Sequence, residues 1–273
     1  MKAVLTGQLF YFCNMSIQPI GVFDSGVGGT SIWKAIHMLL PNENTIYLAD
    51  SKYAPYGSKG KGRITELSIK NTEFLIKKGC KLIVVACNTS TTNAIDYLRQ
   101  TYNIPFIGIE PAIKPAALQT ETKAVGILAT KGTLSSALFS KTSNVFANNI
   151  TVIEHVGDGI VQLIENGQLH TDEMKSLLKL YLQPMLKENI DYLVLGCTHY
   201  PYLIPLLLEI LPKHIKIIDS GEAVARQTKA VLEQHNLLNV KLLKPKLKFY
   251  TNGNPKVMSE LLSNTFDVDY LEF

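Results

Sequence analysis

The sequence predicts an α/β protein of two similar doubly wound domains, with mainly parallel sheets and the active site in the cleft between them. Three observations lead there. Short apolar runs alternate with helical stretches from residue 15 to residue 273, the pattern of parallel strands covered by helices on both faces. The order restarts midway: Ile20 to Ser31, a strand and a Gly/Ser turn leading into a helix, is echoed by Ala124 to Ser135. Each half also ends an apolar strand in a cysteine, Cys87 and Cys197.

Taken in order, Ile20–Phe23 is a strand, Asp24–Ser31 the turn after it, and Ile32–Leu40 an amphipathic helix closed by Pro41. Thr45–Ala49 is the next strand, and the Pro- and Gly-bearing stretch from Lys52 to Gly60 is a binding or turn segment. A helix over Ile64–Lys78 precedes the strand ending at Ala86. The helix after Cys87 runs to about Tyr102, and Ile104–Ile109 is a strand. The second half reads as strand Ala124–Ala129, strand Thr151–Glu154, helices over Ile160–Glu165 and Glu173–Leu186, a strand to Gly196 and a Leu-rich helix after Pro201. Strand Ile215–Ile218, helix Glu222–Gln234 and strands near Leu247–Tyr250 and Val268–Leu271, with a helix between them, complete the chain. The echo pairs Val22 with Ile127, Cys87 with Cys197, and Ile107–Glu110 with Ile217–Ser220. It assigns residues 15–113 and 225–273 to a first domain carrying Asp24 and Cys87, and 114–224 to a second carrying Cys197 and His199. Residues 1–14, whose apolar stretch faintly imitates a signal peptide, read as an N-terminal extension.

Composition bounds the chemistry. The chain has 273 residues, 46% hydrophobic and 18% charged, with a net charge of +4. It is globular and lacks the basic, aromatic-interleaved face of a nucleic-acid binder. No run reaches the roughly 18 apolar residues of a membrane span. Four cysteines, at 13, 80, 87 and 197, show no CxxC and no metal-type spacing. Cys13 and Cys80 read as buried apolar residues, and the set as that of a reduced, cytosolic protein.

Ligands of doubly wound sheets bind beyond the carboxyl ends of the strands, where the polar motifs here fall. A cysteine between a strand and a helix meets the positive helix end, which favours thiolate. Two such thiols facing one substrate across a cleft can remove a proton from a carbon acid and return one to its opposite face. The Asp24-Ser25-Gly26-Val27-Gly28-Gly29 turn lacks the endings of nucleotide motifs. Either Ser25 and backbone N–H groups hold a carboxylate while Asp24 holds an ammonium or assists Cys87, or the segment is a tight turn with an Asp cap. Asn88, Thr89 and Thr198 bind a carboxylate or cap helices, and His199 tunes Cys197 or is structural.

Together, Phe23 to Gly29, Pro55-Tyr56-Gly57, Ala86-Cys87-Asn88-Thr89 and Gly196-Cys197-Thr198-His199-Tyr200-Pro201 resemble the motifs of the cofactor-independent glutamate racemases, over Ile20 to about Thr228. The resemblance implies catalysis by Cys87 and Cys197, assisted by Asp24, His199 and a glutamate of the second domain. It implies substrate binding by Asp24-Ser25, Pro55-Tyr56-Gly57, Asn88-Thr89 and Thr198-His199. The family's Cys-Pro before its helper glutamate is absent; Gly157-Asp158 stand near that place, and Glu165 is the best match, with a solvated helix-end carboxylate as the competing reading. The resemblance further implies L- and D-glutamate as substrates, D-glutamate supply for peptidoglycan, no metal or organic cofactor, a cytoplasmic location and a homodimer. An aspartate or hydantoin racemase, a non-catalytic amino-acid-binding protein and a Cys87/His199 hydrolase are the alternatives.

Overall fold

The computed structural model describes residues 15–146, 150–241 and 243–273. Residues 1–14, with Cys13 and the expected extension, lie outside the described residues. In chain order the first elements are β1 (Ile20–Asp24), α1 (Thr30–Leu39), β2 (Thr45–Ala49), α2 (Lys61–Lys77), β3 (Leu82–Val85), α3 (Asn88–Thr101), β4 (Phe106–Gly108) and α4 (Ile113–Gln119). The next are β5 (Ala124–Ala129), α5 (Lys131–Leu134), α6 (Ala137–Phe146), β6 (Thr151–Val156), α7 (Ile160–Glu165), α8 (Asp172–Lys187), β7 (Tyr192–Gly196) and α9 (Ile204–Ile210). The last are β8 (Lys216–Ile218), α10 (Gly221–Gln234), β9 (Leu247–Thr251), α11 (Pro255–Leu261) and β10 (Val268–Tyr270).

The strands form two sheets, one in the order β10-β9-β2-β1-β3-β4 and one in the order β6-β5-β7-β8, and every pairing is parallel. Parallel strands are buried on both faces and read as continuous apolar runs. β1, β2, β3, β5 and β7 are buried at every position, which is why their sequences stood out. The repeat is geometric as well: β2-β1-β3-β4 of one sheet corresponds to β6-β5-β7-β8 of the other. In each, the chain leaves the first strand for one neighbour and returns on the other side, so the strand order reverses between β1 and β3 and again between β5 and β7. Crevices open at such reversals.

α1 turns Ile32, Trp33 and Ile36 into the core, and the Trp33 indole N–H donates to Thr45 Oγ1 at 2.9 Å. Full burial of each isoleucine contributes about 1.5–3 kcal/mol. α10 follows a strand of the second sheet yet packs along α1, which flanks the first. Residue 225 lies inside this helix and residue 113 opens α4.

Three features differ from the sequence reading. β4 is shorter than Ile104–Ile109 because Pro105 has no N–H to give a neighbouring strand. α4 was not anticipated; its Pro115 falls in the first turn, where a helix needs no N–H from it. The single turn of α5 was not anticipated either, whereas α6 is the helix that the echo of Ile20–Ser31 placed after Ser135. Cys80 is buried and its thiol is pushed up to about 12 by desolvation, as expected of a core cysteine. Among the described residues no helix is long and apolar enough to cross a membrane.

Candidate active site

Residues just beyond the carboxyl ends of β1, β3, β5 and β7 close around one narrow cavity. The first sheet contributes Ser25, Cys87, Asn88 and Thr89, with Pro55, Tyr56 and Gly57 from the loop after β2. The second contributes Thr130, Val161, Gly196, Cys197, Thr198 and His199. Both cysteine side chains therefore border the same space from different sheets.

Cys87 is the N-cap of α3, and its Sγ accepts the Ser90 N–H at 3.4 Å. Its S–H faces Ser25 Oγ at 3.5 Å. The helix start favours a thiolate, but burial opposes it and prevails. With the Asp24 charge adding to the effect, the thiol is pushed up to about 12. Cys87 at rest is a protonated acid, contrary to what its place at a helix start suggests.

Cys197 has a different partner. Its Sγ lies 3.7 Å from His199 Nδ1, and His199 Nε2 lies 2.5 Å from Glu165 Oε1. The same oxygen accepts the Val27 N–H at 2.7 Å. The Gly28 N–H also points at Nε2, at 3.3 Å; with the Nε2 proton on the short bond to Glu165, this is a contact rather than a second bond. Burial disfavours the imidazolium, but the hydrogen bonds to Cys197 and Glu165, and their charges, outweigh it and hold the ring well above the usual histidine range.

Asp24 is fully buried. Its Oδ2 accepts the Gly29 N–H at 2.9 Å and the Gly26 N–H at 3.3 Å, and its Oδ1 accepts the Thr198 hydroxyl at 3.3 Å. Burial raises its carboxyl to about 6, against the pull of the nearby His199 charge and the Gly29 N–H. Asp24 and Glu165 stand behind the cavity wall, Asp24 beneath Ser25 and Glu165 behind His199. The remaining sequence-derived residues all line the cavity.

The first-sheet turn allows this approach because it is built of glycine. A Cβ on Gly26 would overlap the Glu165 carboxylate, and one on Gly28 would overlap the His199 ring. Tyr56 keeps its ring at the cavity by bonding its hydroxyl to the Asp50 carboxylate, which also holds Lys70 Nζ at 2.9 Å. Asn88 Oδ1 is buried with no partner among the described residues, an acceptor suited to an ammonium. Thr89 and Thr130 join hydroxyls across the cleft at 2.8 Å.

Thr130 and Val161 were missed by sequence reading. A signal for Thr130 existed: the pairing of Val22 with Ile127 sets Ser25 opposite Thr130. Val161 had none, being one apolar residue of an apolar helix. Among the described residues no group of three or more His, Cys, Asp or Glu side chains is arranged to hold a metal ion.

The family profile described as Asp/Glu/hydantoin racemase matches residues 20–228. The chain is 44% identical over 250 residues to the glutamate racemase of Ectopseudomonas mendocina, covering 91% of this chain and 95% of that one. Among solved structures it is similar to glutamate racemase from Escherichia coli in complex with L-glutamate and the activator UDP-MurNAc-Ala, with a TM-score of 0.83 and 33% identity over 93% of this chain and 98% of that one. It is also similar to the Francisella tularensis glutamate racemase in complex with D-glutamate, with a TM-score of 0.81 and 30% identity over 94% of this chain and 98% of that one. Strand order, two cysteines on one cavity and these likenesses agree: the chain belongs to the Asp/Glu/hydantoin racemase family of isomerases.

Proposed function

We propose that the chain interconverts L- and D-glutamate by a cofactor-independent two-thiol mechanism. The observation that carries this reading is that Cys87 and Cys197, from separate sheets, border one narrow cavity with Ser25, Asn88, Thr89 and Thr198 around it. In one direction Cys197, its negative charge matched by the His199 imidazolium, removes the Cα proton as a thiolate, and the Cys87 thiol delivers a proton to the opposite face. In the reverse direction the roles exchange. Each pass turns one thiolate into a thiol and one thiol into a thiolate, so the protons balance. Ser25, Asn88, Thr89, Thr198 and the Tyr56-Gly57 segment hold the carboxylates and the ammonium of the substrate. Asp24 ties the Cys87 side to Thr198, and Glu165 orients His199. The carbanion-like transition state is stabilised by N–H and O–H donors already in place.

The wider role follows the same reading: D-glutamate for peptidoglycan, in the cytoplasm, from a homodimer. The domains are proposed as residues 15–113 with 225–273, and 114–224. Sheet membership supports this division, with α10 spanning its second boundary.

The test is L-glutamate in D2O with the purified protein. Cα deuteration and loss of optical rotation should proceed together, and the loss of optical rotation should vanish in Cys87→Ala and Cys197→Ala. Normal racemisation by either variant sinks the two-thiol account. Faster turnover of aspartate than of glutamate would move the substrate assignment to aspartate.

A further inference from the structure

Behind the Asp24–Thr30 turn stands Tyr47 of β2, fully buried and outside the cavity wall. Its hydroxyl donates to the Gly26 carbonyl at 2.8 Å. That carbonyl and the Val27 N–H belong to one peptide unit, and the Val27 N–H is the donor to Glu165 Oε1 at 2.7 Å. A hydrogen bond accepted at the oxygen of a peptide polarises it and strengthens the bond its N–H donates. The relay therefore runs from the Tyr47 O–H through one peptide to the Glu165 carboxylate, on to His199 Nε2 at 2.5 Å, and through the ring to Cys197 at 3.7 Å.

The neighbouring peptide is fixed in the same manner. The Thr30 hydroxyl donates to the Val27 carbonyl at 2.6 Å, so its single proton is spent. The 2.6 Å contact with Tyr202 must then have the Tyr202 hydroxyl as donor. The N–H of this second peptide, that of Gly28, faces the His199 ring. The turn that receives Glu165 and His199 is thus braced from behind by hydroxyl donors on successive peptides. Tyr47 has no competing protonation state: burial, and then the charge of Asp24, push its phenol well above the usual range. Its ring packs against Phe249, with centroids 6.2 Å apart.

We propose that Tyr47 is a positioning residue: its hydroxyl, acting through the Gly26–Val27 peptide, holds Glu165 in place for His199 and so aligns His199 on Cys197. The proposal rests on the racemase reading of the site. It assigns a role to a residue that touches neither substrate nor thiol.

The test uses the full chain and Tyr47→Phe, which removes one oxygen. Loss of one neutral hydrogen bond should lower kcat about 3- to 10-fold, with KM within about twofold because no substrate contact is lost. A proton held between His199 Nε2 and Glu165 Oε1 gives a strongly deshielded proton resonance, assigned by its absence in His199→Asn. Tyr47→Phe should displace or abolish it. Phe249→Leu is the packing control; it keeps the hydroxyl, and it should lower Tm while leaving the resonance in place. An unmoved resonance in Tyr47→Phe, or an unchanged kcat, overturns the proposal even if Tm falls. The parent chain is assayed first, so absence of glutamate racemisation there counts against the functional reading, while the resonance still reports on the relay.

Discussion

Gly28→Ala places a methyl group where the two halves of the site meet. The added Cβ would overlap the His199 ring and lie 2.6 Å from the His199 backbone nitrogen, about 0.8 Å short of the 3.4 Å at which ordinary contact begins. A side-chain tip can swing away, but a backbone nitrogen between Thr198 and the turn at Tyr200 cannot move alone. Relief requires the Cys197-Thr198-His199 segment to shift by most of an ångström relative to the first sheet. Overpacking of this kind costs about 1–3 kcal/mol, which in a chain of this size lowers Tm by roughly 2–12 °C. Misplacement by about 1 Å in a site of this kind costs on the order of 100-fold in rate, so the catalytic loss should far exceed the loss of stability. The assay is racemisation by circular dichroism, with a thermal melt of the same sample. A kcat within about threefold of the parent would refute the geometry on which the site rests.

Glu165→Gln should lower kcat about 10- to 100-fold, since a charge-assisted hydrogen bond contributes about 1.5–3 kcal/mol; an effect under twofold would return Glu165 to a solvated helix end. His199 has a raised pKa in the folded chain, so its imidazolium adds stability that is complete below the unfolded value of about 6.5 and fades as pH rises through the folded value. The Tm difference between parent and Glu165→Gln should accordingly be largest at low pH and shrink on the alkaline side; a difference that grows with pH contradicts the assignment. Iodoacetamide should alkylate Cys197 before Cys87, whose thiol is pushed up to about 12 by burial, and peptide mapping reads the order directly. Lys81→Met should leave Glu43 as an unpaired buried charge, removing bonds to Glu43 at 2.5 Å and to the Leu237 carbonyl at 2.9 Å. At about 3–5 kcal/mol for a broken buried pair, Tm should fall roughly 6–20 °C while activity at 25 °C persists; an unchanged Tm would show that the pair adds nothing.

The parts legible in the sequence are those whose side chains repeat or end abruptly. β1, β3, β5 and β7 are buried on both faces, so their apolar runs stop at the cavity, and Ser25, Cys87, Thr130 and Cys197 after those stops line it. The echo of one half in the other was equally plain. Legibility failed where function depends on contacts distant in sequence. Glu165 looks like any helix-end carboxylate until its bond to the Val27 N–H, 138 residues away, is seen. The state of Cys87 was not legible because a helix start is visible in sequence and the degree of desolvation is not. Thr130 follows from the duplication only when the echo is pressed residue by residue, and Tyr47 acts through a peptide group whose identity carries no side-chain signal.

The duplicated sheets have a kinetic consequence. Enantiomers in water have equal free energy, so the ratio of kcat to KM must be identical for the two directions of a racemase, however the protein is built. The side chains around the two thiols differ: Cys87 faces a serine hydroxyl and a helix start, and Cys197 faces a histidine held by a carboxylate. On the proposed mechanism, a mirror-symmetric reaction is thus run by apparatus without mirror symmetry. Nothing then requires the two enantiomers to saturate the protein equally. One hand of the substrate can bind tightly and turn over slowly while the other binds loosely and turns over fast, with the two differences cancelling in the ratio.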